Sequence, residues 1–345
     1  MDVIPDDRLK LMGAPGSPYT RKMLALLRYR RIPYAVLWGG HQNPPPGLPQ
    51  PKVKLLPTFY FPDGSGDVEA VVDSTPITRR LERDYAGRSV IPENPALAFL
   101  NELIEDYADE WLTKAMFHYR WYFEADRDNA APLLVYWSLP TLAAPDAQKM
   151  ADMFSKRQTE RLYVVGSNDV TASTIESSYL RFIDLLDALL QGAGYVLGAR
   201  PSSADFAIYG QLTQLAIVEP TSAALTSARS ARVRAWLDRV EDLSGIEPED
   251  GDWFTREKAE ERLKPLLREI GRVYLPFLKA NAAAVIAGKS EFETEIDGQV
   301  WKQPTFPYQA KCLKHLREEA TALPAAARGE VQQILSGTGC EELLS

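Results

Sequence analysis

Cysteine is nearly absent: the 345 residues hold two, Cys312 and Cys340, both close to the C-terminus. Two late thiols cannot staple a disulfide scaffold or build a cysteine-rich metal centre. Histidine is almost as scarce, with His41, His118 and His315 far apart in the chain, so a zinc site is not expected and no metal is assigned. No apolar run approaches the ~18 residues that a membrane span needs. The opening MDVIPDDRLK is acidic and lacks the apolar centre of a signal peptide. Positive charge is not in excess either: 39 Lys and Arg stand against 47 Asp and Glu, a formal charge of -8. Nucleic-acid binding, which needs clustered positive charge, is therefore not expected. A cytoplasmic protein with no membrane partner is the expectation.

What is present is ordinary globular composition, 45% hydrophobic and 25% charged, at a length that suits about two domains. Residues 8–12 alternate as a short strand and run into Gly13-Ala14-Pro15-Gly16-Ser17-Pro18. The apolar spacing of Met23, Leu24, Leu26 and Leu27 predicts a helix over 19–29. Residues 34–38, YAVLW, read as a second strand, so the opening is a β-α-β crossover unit with a parallel pair. The proline-rich stretch 43–51 cannot be helix or central strand and reads as a rigid surface loop. Residues 57–61 and 68–72 flank a Gly-rich turn at 63–67 and predict a hairpin, followed by a helix from 73–74 to about 84.

Residues 89–95 read as a linker, and beyond it the chain is almost all helix. An apolar stripe from Leu100 to Tyr122 predicts one long helix over about 97–123. Further helices are expected at about 145–162, 174–191, 203–216, 228–241 and 255–287. Glu291 to Thr305 reads as a hairpin around Asp297-Gly298, with two short helices after it.

Several residues stand out for chemistry. Ser17 before Pro18 is a strong helix start, with an oxygen acceptor at the N-cap and proline at the first helical position. Taken alone it reads as a cap. Asp73 and Ser74 also read first as a helix cap, with Ser74 in that role. Pro57, at a loop-to-strand junction, is trans by default. Ser202 and Asp205 are spaced for a capping box and read as structural. Tyr107, Trp111 and His118 fall near one helical face, which suits either a core stripe or an aromatic wall.

Taken together, Ser17-Pro18-Tyr19 with Arg21-Lys22, Leu56-Pro57 before a strand, Asp73-Ser74, and Ser202-Ser203-Ala204-Asp205 resemble the glutathione S-transferase (GST) superfamily. The start of the first helix is similar to that of serine-type, tau-like members, and the long stretch Glu105 to Trp121 with the C-terminal tail resembles an extended bacterial-type form. The resemblance spans about residues 8–245. It implies a thioredoxin-like α/β domain over 1–88, an all-α domain over 95–250, and a mostly helical C-terminal extension over 251–345. It also implies a glutathione transferase: Ser17 would donate to the glutathione sulfur, with Tyr19 as the rival hydroxyl. A cis Pro57 would expose the backbone of Leu56 to the peptide, and Asp73 and Ser74 would hold the glutamyl end. Lys54 is a candidate for the glycyl carboxylate, beside His41, Gln42 and Lys52. Tyr19, Tyr107 and Trp111 would meet a small apolar electrophile. Glutathione is then a co-substrate and the protein a homodimer. The alternatives are a specialised glutathione-dependent lyase, dehalogenase or isomerase, or a non-catalytic binding protein on the same fold.

Overall fold

A computed structural model describes residues 8–42, 44–64 and 67–344. The leader reading of residues 1–7, together with Asn43 of the proline-rich loop and Ser65 and Gly66 of the expected turn, lies outside the described residues.

The chain opens with β1 (Leu9–Gly13), α1 (Pro18–Tyr29), β2 (Tyr34–Trp38), β3 (Thr58–Pro62), β4 (Val68–Val71) and α2 (Ser74–Asp84). The four strands form one sheet in the order β2-β1-β3-β4. β1 runs parallel to β2 with Leu11 opposite Val36, and antiparallel to β3 with Leu11 opposite Phe59. The β-α-β crossover and the hairpin are thus where the alternation and the turn residues put them.

The helical part begins with a single rod: α3 (Pro95–Tyr107), a π-helical segment over Ala108–Leu112, and α4 (Thr113–Tyr122). It continues through α5 (Glu124–Ser138), α6 (Ala144–Thr159), α7 (Ala172–Leu190), α8 (Ser203–Thr213), α9 (Pro220–Arg229) and α10 (Ala231–Val240). Then come α11 (Arg256–Glu269), α12 (Leu275–Ile286), the hairpin β5 (Glu291–Ile296) and β6 (Gln299–Pro304), α13 (Pro307–Ala322) and α14 (Ala325–Leu335). Two departures from expectation matter. The segment 124–138 is a helix of its own, hidden in the sequence by an acidic start and by Pro132 inside it. α9 was not expected either: the helix read at 228–241 is α10, and Ser230 ends α9 just before it and caps α10 through the N–H of Val233. Among the described residues, no helix is long and apolar enough to cross a membrane.

One apolar core joins the sheet, the helical part and the extension. It includes Leu11 and Phe59 of the sheet, Ile104 and Tyr107 of α3, Phe182 of α7, and Tyr274, Trp301, Leu316 and Leu343 from the last ninety or so residues. The hairpin is seated over Lys114 of α4, which is buried. Its ammonium donates to the carbonyl of Val165 (3.0 Å) and to Gln303 Oε1 (3.2 Å), and lies 4.0 Å from the centre of the Phe277 ring. Burial pulls its pKa down to about 7.

Ser202 and Asp205 close the capping box at the start of α8. The Asp205 carboxylate, fully buried, accepts from the backbone N–H groups of Ser202 (2.9 Å) and Val196 (2.9 Å) and from the Ser202 hydroxyl (2.8 Å). Asp205→Ala leaves those buried donors without partners and is expected to cost about 3 kcal/mol in urea unfolding. Asp205→Asn, which keeps one acceptor oxygen, should lose less.

Candidate functional site

Ser17 stands at φ -94° and ψ 116°, an extended N-cap conformation, and its Oγ accepts from the N–H of Thr20 at 3.2 Å. The same hydroxyl donates to the carbonyl of Leu56 at 3.3 Å. The Leu56-Pro57 peptide is cis. The start of α1 and the loop before β3 therefore meet at this one hydroxyl. The loop that leads into α1 is held from the helical part: Arg120 donates to the carbonyl of Gly16 (3.0 Å) and Gln214 to that of Pro15 (3.2 Å).

Asp73, not Ser74, is the N-cap of α2. It sits at φ 82°, a conformation that L-residues rarely adopt and that costs of order 1–3 kcal/mol. Its Oδ1 accepts from the N–H of Thr75 at 3.3 Å, and its Oδ2 accepts from the hydroxyl of Tyr308 at 2.8 Å. Ser74 instead turns inward and accepts from Lys22 Nζ at 3.1 Å. Lys22 also donates to Glu105 Oε1 (2.8 Å) and Asp109 Oδ2 (2.6 Å), with its side chain 1% exposed. Burial opposes the charge on Lys22, but the Asp109 and Glu105 carboxylates outweigh it and hold the ammonium above its ordinary range. Burial likewise opposes ionisation of Glu105, yet Lys22 and Arg79 bring its pKa down to about 2. One ammonium cannot serve two acids equally. Asp109, which lacks an arginine, is raised by burial and by the neighbouring Glu105 charge.

The other expected residues are distributed unevenly. Tyr19 donates its hydroxyl to the carbonyl of Asp109 at 2.7 Å, with Thr113 Oγ1 at 3.4 Å, and burial pushes its pKa well above the usual phenol value. It bolts α1 to the π-helical segment. Tyr107 and Trp111 do not face the site. Tyr107 packs on Phe182 and Tyr274, and Trp111 on Phe277 and Trp301, with Trp111 Nε1 donating to Ser178. Both are buried, because the extension lies over the stripe that the sequence left open. His118 is buried between Ser167 and Glu176. Lys54 and Lys52 are exposed on the proline-rich loop, and His41 is tied to the carbonyl of Leu55 at 2.9 Å.

Sequence reasoning missed four features. Lys22 is the hub. Glu110 lies in the π-helical segment with its Oε2 accepting from Gln309 of α13 at 3.0 Å. Tyr308 reaches Asp73. Leu134 and Trp137 of α5 press on Gly16, where a Cβ would lie 2.4 Å from Leu134 and 2.8 Å from the Trp137 ring. Both are only partly buried, so apolar surface stands beside the start of α1 after all. A signal for the hub was available: the otherwise apolar stretch 102–110 carries Glu102, Glu105, Asp106, Asp109 and Glu110, which need cations or donors once buried. Among the described residues, no three His, Cys, Asp or Glu side chains are placed to share a metal ion.

Residues 11–89 match the family model described as glutathione S-transferase, N-terminal domain, and residues 157–239 match glutathione S-transferase, C-terminal domain. No curated protein matches the chain. Similar solved structures include a glutathione transferase from Pseudomonas putida with one glutathione disulfide bound per subunit. It is 15% identical, covers 69% of this chain and 87% of its own, and has a TM-score of 0.42. A glutathione transferase family member from Pseudomonas fluorescens with two glutathione bound is 16% identical over 69% of this chain and 88% of its own, at 0.41. The tau class glutathione S-transferase of mango, Mangifera indica, is 18% identical over 70% of this chain and 94% of its own, at 0.40.

Burial raises the Glu110 carboxyl from 4.5 to about 7, and the neighbouring Asp109 and Asp73 charges add to the rise. The folded protein thus holds a proton that the unfolded chain gives up. Its stability falls as pH climbs from about 4.5 through about 7, by about 3 kcal/mol in all. Glu110→Gln should remove that part of the slope. Urea unfolding across the window should show variant and wild type diverging towards pH 7, with the variant gaining.

Proposed function

Because the chain belongs to the glutathione S-transferase superfamily, carrying its N-terminal and C-terminal domains in order, we propose that it binds glutathione at the start of α1 and turns the thiol into a nucleophile. The observation that carries this reading is the Ser17 hydroxyl, seated at a helix N-terminus and bonded to the carbonyl that precedes the cis-proline. A peptide lying along Leu56 would bring its cysteine to that hydroxyl. The hydrogen that Ser17 now shares with Leu56 spans 3.3 Å, a weak bond that is readily exchanged for one to sulfur.

The energetics are sufficient. A thiol of pKa ~8.5 is about 3% ionised at pH 7, and one of ~6.5 about three quarters, a shift worth roughly 2.7 kcal/mol. A hydrogen bond to a charged group supplies ~1.5–3 kcal/mol, and a helix N-terminus ~0.3–1. Ser17 with the first turn of α1 can therefore provide the shift. The thiol proton goes to solvent. The sulfur lone pair forms a bond to an electrophilic carbon, and either a leaving group departs with its electron pair or a proton adds to the neighbouring atom. Asp73 pairs with the glutamyl ammonium, and the N–H groups of the first turn of α2 suit the glutamyl carboxylate. Leu134 and Trp137 give an apolar electrophile a surface beside the sulfur.

Calorimetric titration of glutathione into wild type and Ser17→Ala, with ultraviolet thiolate absorbance followed against pH, tests the reading. Both proteins should bind. Wild type should hold the bound thiol roughly two units below its free value, and the variant should lose the shift and roughly 25-fold of its thiolate at pH 7. Absence of binding to both at millimolar concentration would sink the transferase reading. Trp137→Ala should raise the KM for an activated aryl halide about tenfold or more while leaving glutathione affinity within a factor of about two.

A further inference from the structure

The extension does more than cover the core, because the first turn of α13 ends on the candidate glutamyl subsite. Phe306 is clamped by Asn281, whose side chain accepts from its N–H at 2.8 Å and donates to its carbonyl at 2.9 Å. Two residues on, Tyr308 donates to Asp73 across 235 positions of sequence, and Gln309 donates to Glu110. Asp73 is the group assigned to the ligand's ammonium in the reading above, on which this inference rests. Its outer oxygen is thus already taken by a donor from the protein itself.

That donor is the weaker of the two possible partners. A phenol gives the Asp73 carboxylate a hydrogen bond in which only the acceptor is charged, whereas an ammonium brings the opposite charge as well and adds a Coulombic attraction to the bond. The surroundings also favour a cation, since Asp109 and Glu110 both lie close enough to feel the charge on Asp73. Donors are short there: Asp109 Oδ1 and Gln309 Oε1 are buried and have no hydrogen-bond partner among the described residues. Release needs little movement. Tyr308 is 41% exposed and stands beside the exposed ring of Phe306, while Gln309, Leu313 and Leu316 are buried and keep α13 seated. A change of side-chain rotamer, fast at an exposed position, frees Asp73 without undocking the helix.

We propose that Tyr308 is a built-in occupant of the ammonium subsite, so that glutathione, or another peptide with a free α-amino group, enters by displacing the phenol from Asp73. The extension thereby sets which amines the site accepts. A ligand that brings no ammonium has nothing to exchange for the Tyr308 contact.

Calorimetric titrations of wild type, Tyr308→Phe and Asp73→Asn with glutathione and with its analogue lacking the α-amino group test this, with a thermal melt of each protein to establish that it is folded. Tyr308→Phe keeps the ring and removes the competing donor. It should bind glutathione roughly two- to tenfold tighter than wild type and leave the affinity for the deamino analogue unmoved. Asp73→Asn should weaken glutathione and bring it towards the analogue. Wild type binding glutathione as tightly as Tyr308→Phe, or more tightly, overturns the competition and leaves the glutathione reading standing. An equal gain for both ligands also overturns it, since the ring would then be simple cover. If no folded variant binds glutathione, the glutathione reading itself falls and takes this inference with it.

Discussion

The ammonium of Lys22 is sealed from water, and its three hydrogen bonds go to three different stretches of chain: Ser74 at the start of α2, Glu105 in α3 and Asp109 in the π-helical segment. Removing a charge from water costs several kcal/mol, and only a full set of partners repays it. The arrangement therefore tolerates one relative placement of α1, α2 and the long helical rod. Ser17 lies five residues before Lys22 on the same helix, so the position of the candidate nucleophile-activating hydroxyl follows from where that ammonium is satisfied. α8 secures the other side. A Cβ at Gly210 would lie 2.5 Å from the carbonyl of Pro18 and 3.0 Å from Lys22, so the absence of a side chain there lets α8 lie directly on the first turns of α1.

The same hub explains why an acidic patch can sit inside an apolar rod. Glu105 takes Lys22, Arg79 and the Ser203 hydroxyl. Glu102 takes Arg79 and His315, Asp106 takes the hydroxyl of Tyr274 at 2.7 Å, and Glu110 takes Gln309. Two of these carboxylates are met by side chains of α1 and α2, and three by side chains between residues 274 and 315. Without the extension, Asp106 and Glu110 would lose their protein donors and the rod would present them to water. The extension thus completes the electrostatics of the helical part as well as its core.

How much of this could be read from the chain follows from the range of each interaction. The strands, the crossover, the Ser17 cap, the Ser202–Asp205 box and the hairpin around Asp297-Gly298 are set by residues within a few positions of each other, and local chemistry announces them. The identity of the cap of α2 was within reach of the same reasoning, but Ser74 is drawn inward by Lys22, a partner 52 residues away. The long helix was legible as a stripe, whereas its π-helical turn was not, because nothing in ADEWL marks the extra residue. The burial of Tyr107 and Trp111 depends on Tyr274, Phe277 and Trp301, more than 150 residues later, and a stripe of aromatics looks the same whether a later segment covers it or a substrate does. α5 was missed because its Pro132 and polar opening weaken the helical pattern.

That last miss changes where an apolar substrate can be sought. With Tyr107 and Trp111 in the core and the Tyr19 hydroxyl committed to the Asp109 carbonyl, the three residues expected to meet the electrophile are all engaged in holding the fold. What remains at the mouth of α1 is Leu134 and Trp137, brought to Gly16 by a helix that the sequence concealed. Gly16 lets that contact form, and Arg120 and Gln214 hold the carbonyls of Gly16 and Pro15 on either side of it. Apolar surface and the proposed thiol-activating hydroxyl are then one residue apart on a loop braced from the helical part. An electrophile resting on Trp137 would approach the sulfur from the side of α5, while the proposed glutamyl end at Asp73 is met by Tyr308 of α13. The two ends of the candidate site thus meet different elements, α13 at the proposed peptide end and α5 beside Gly16.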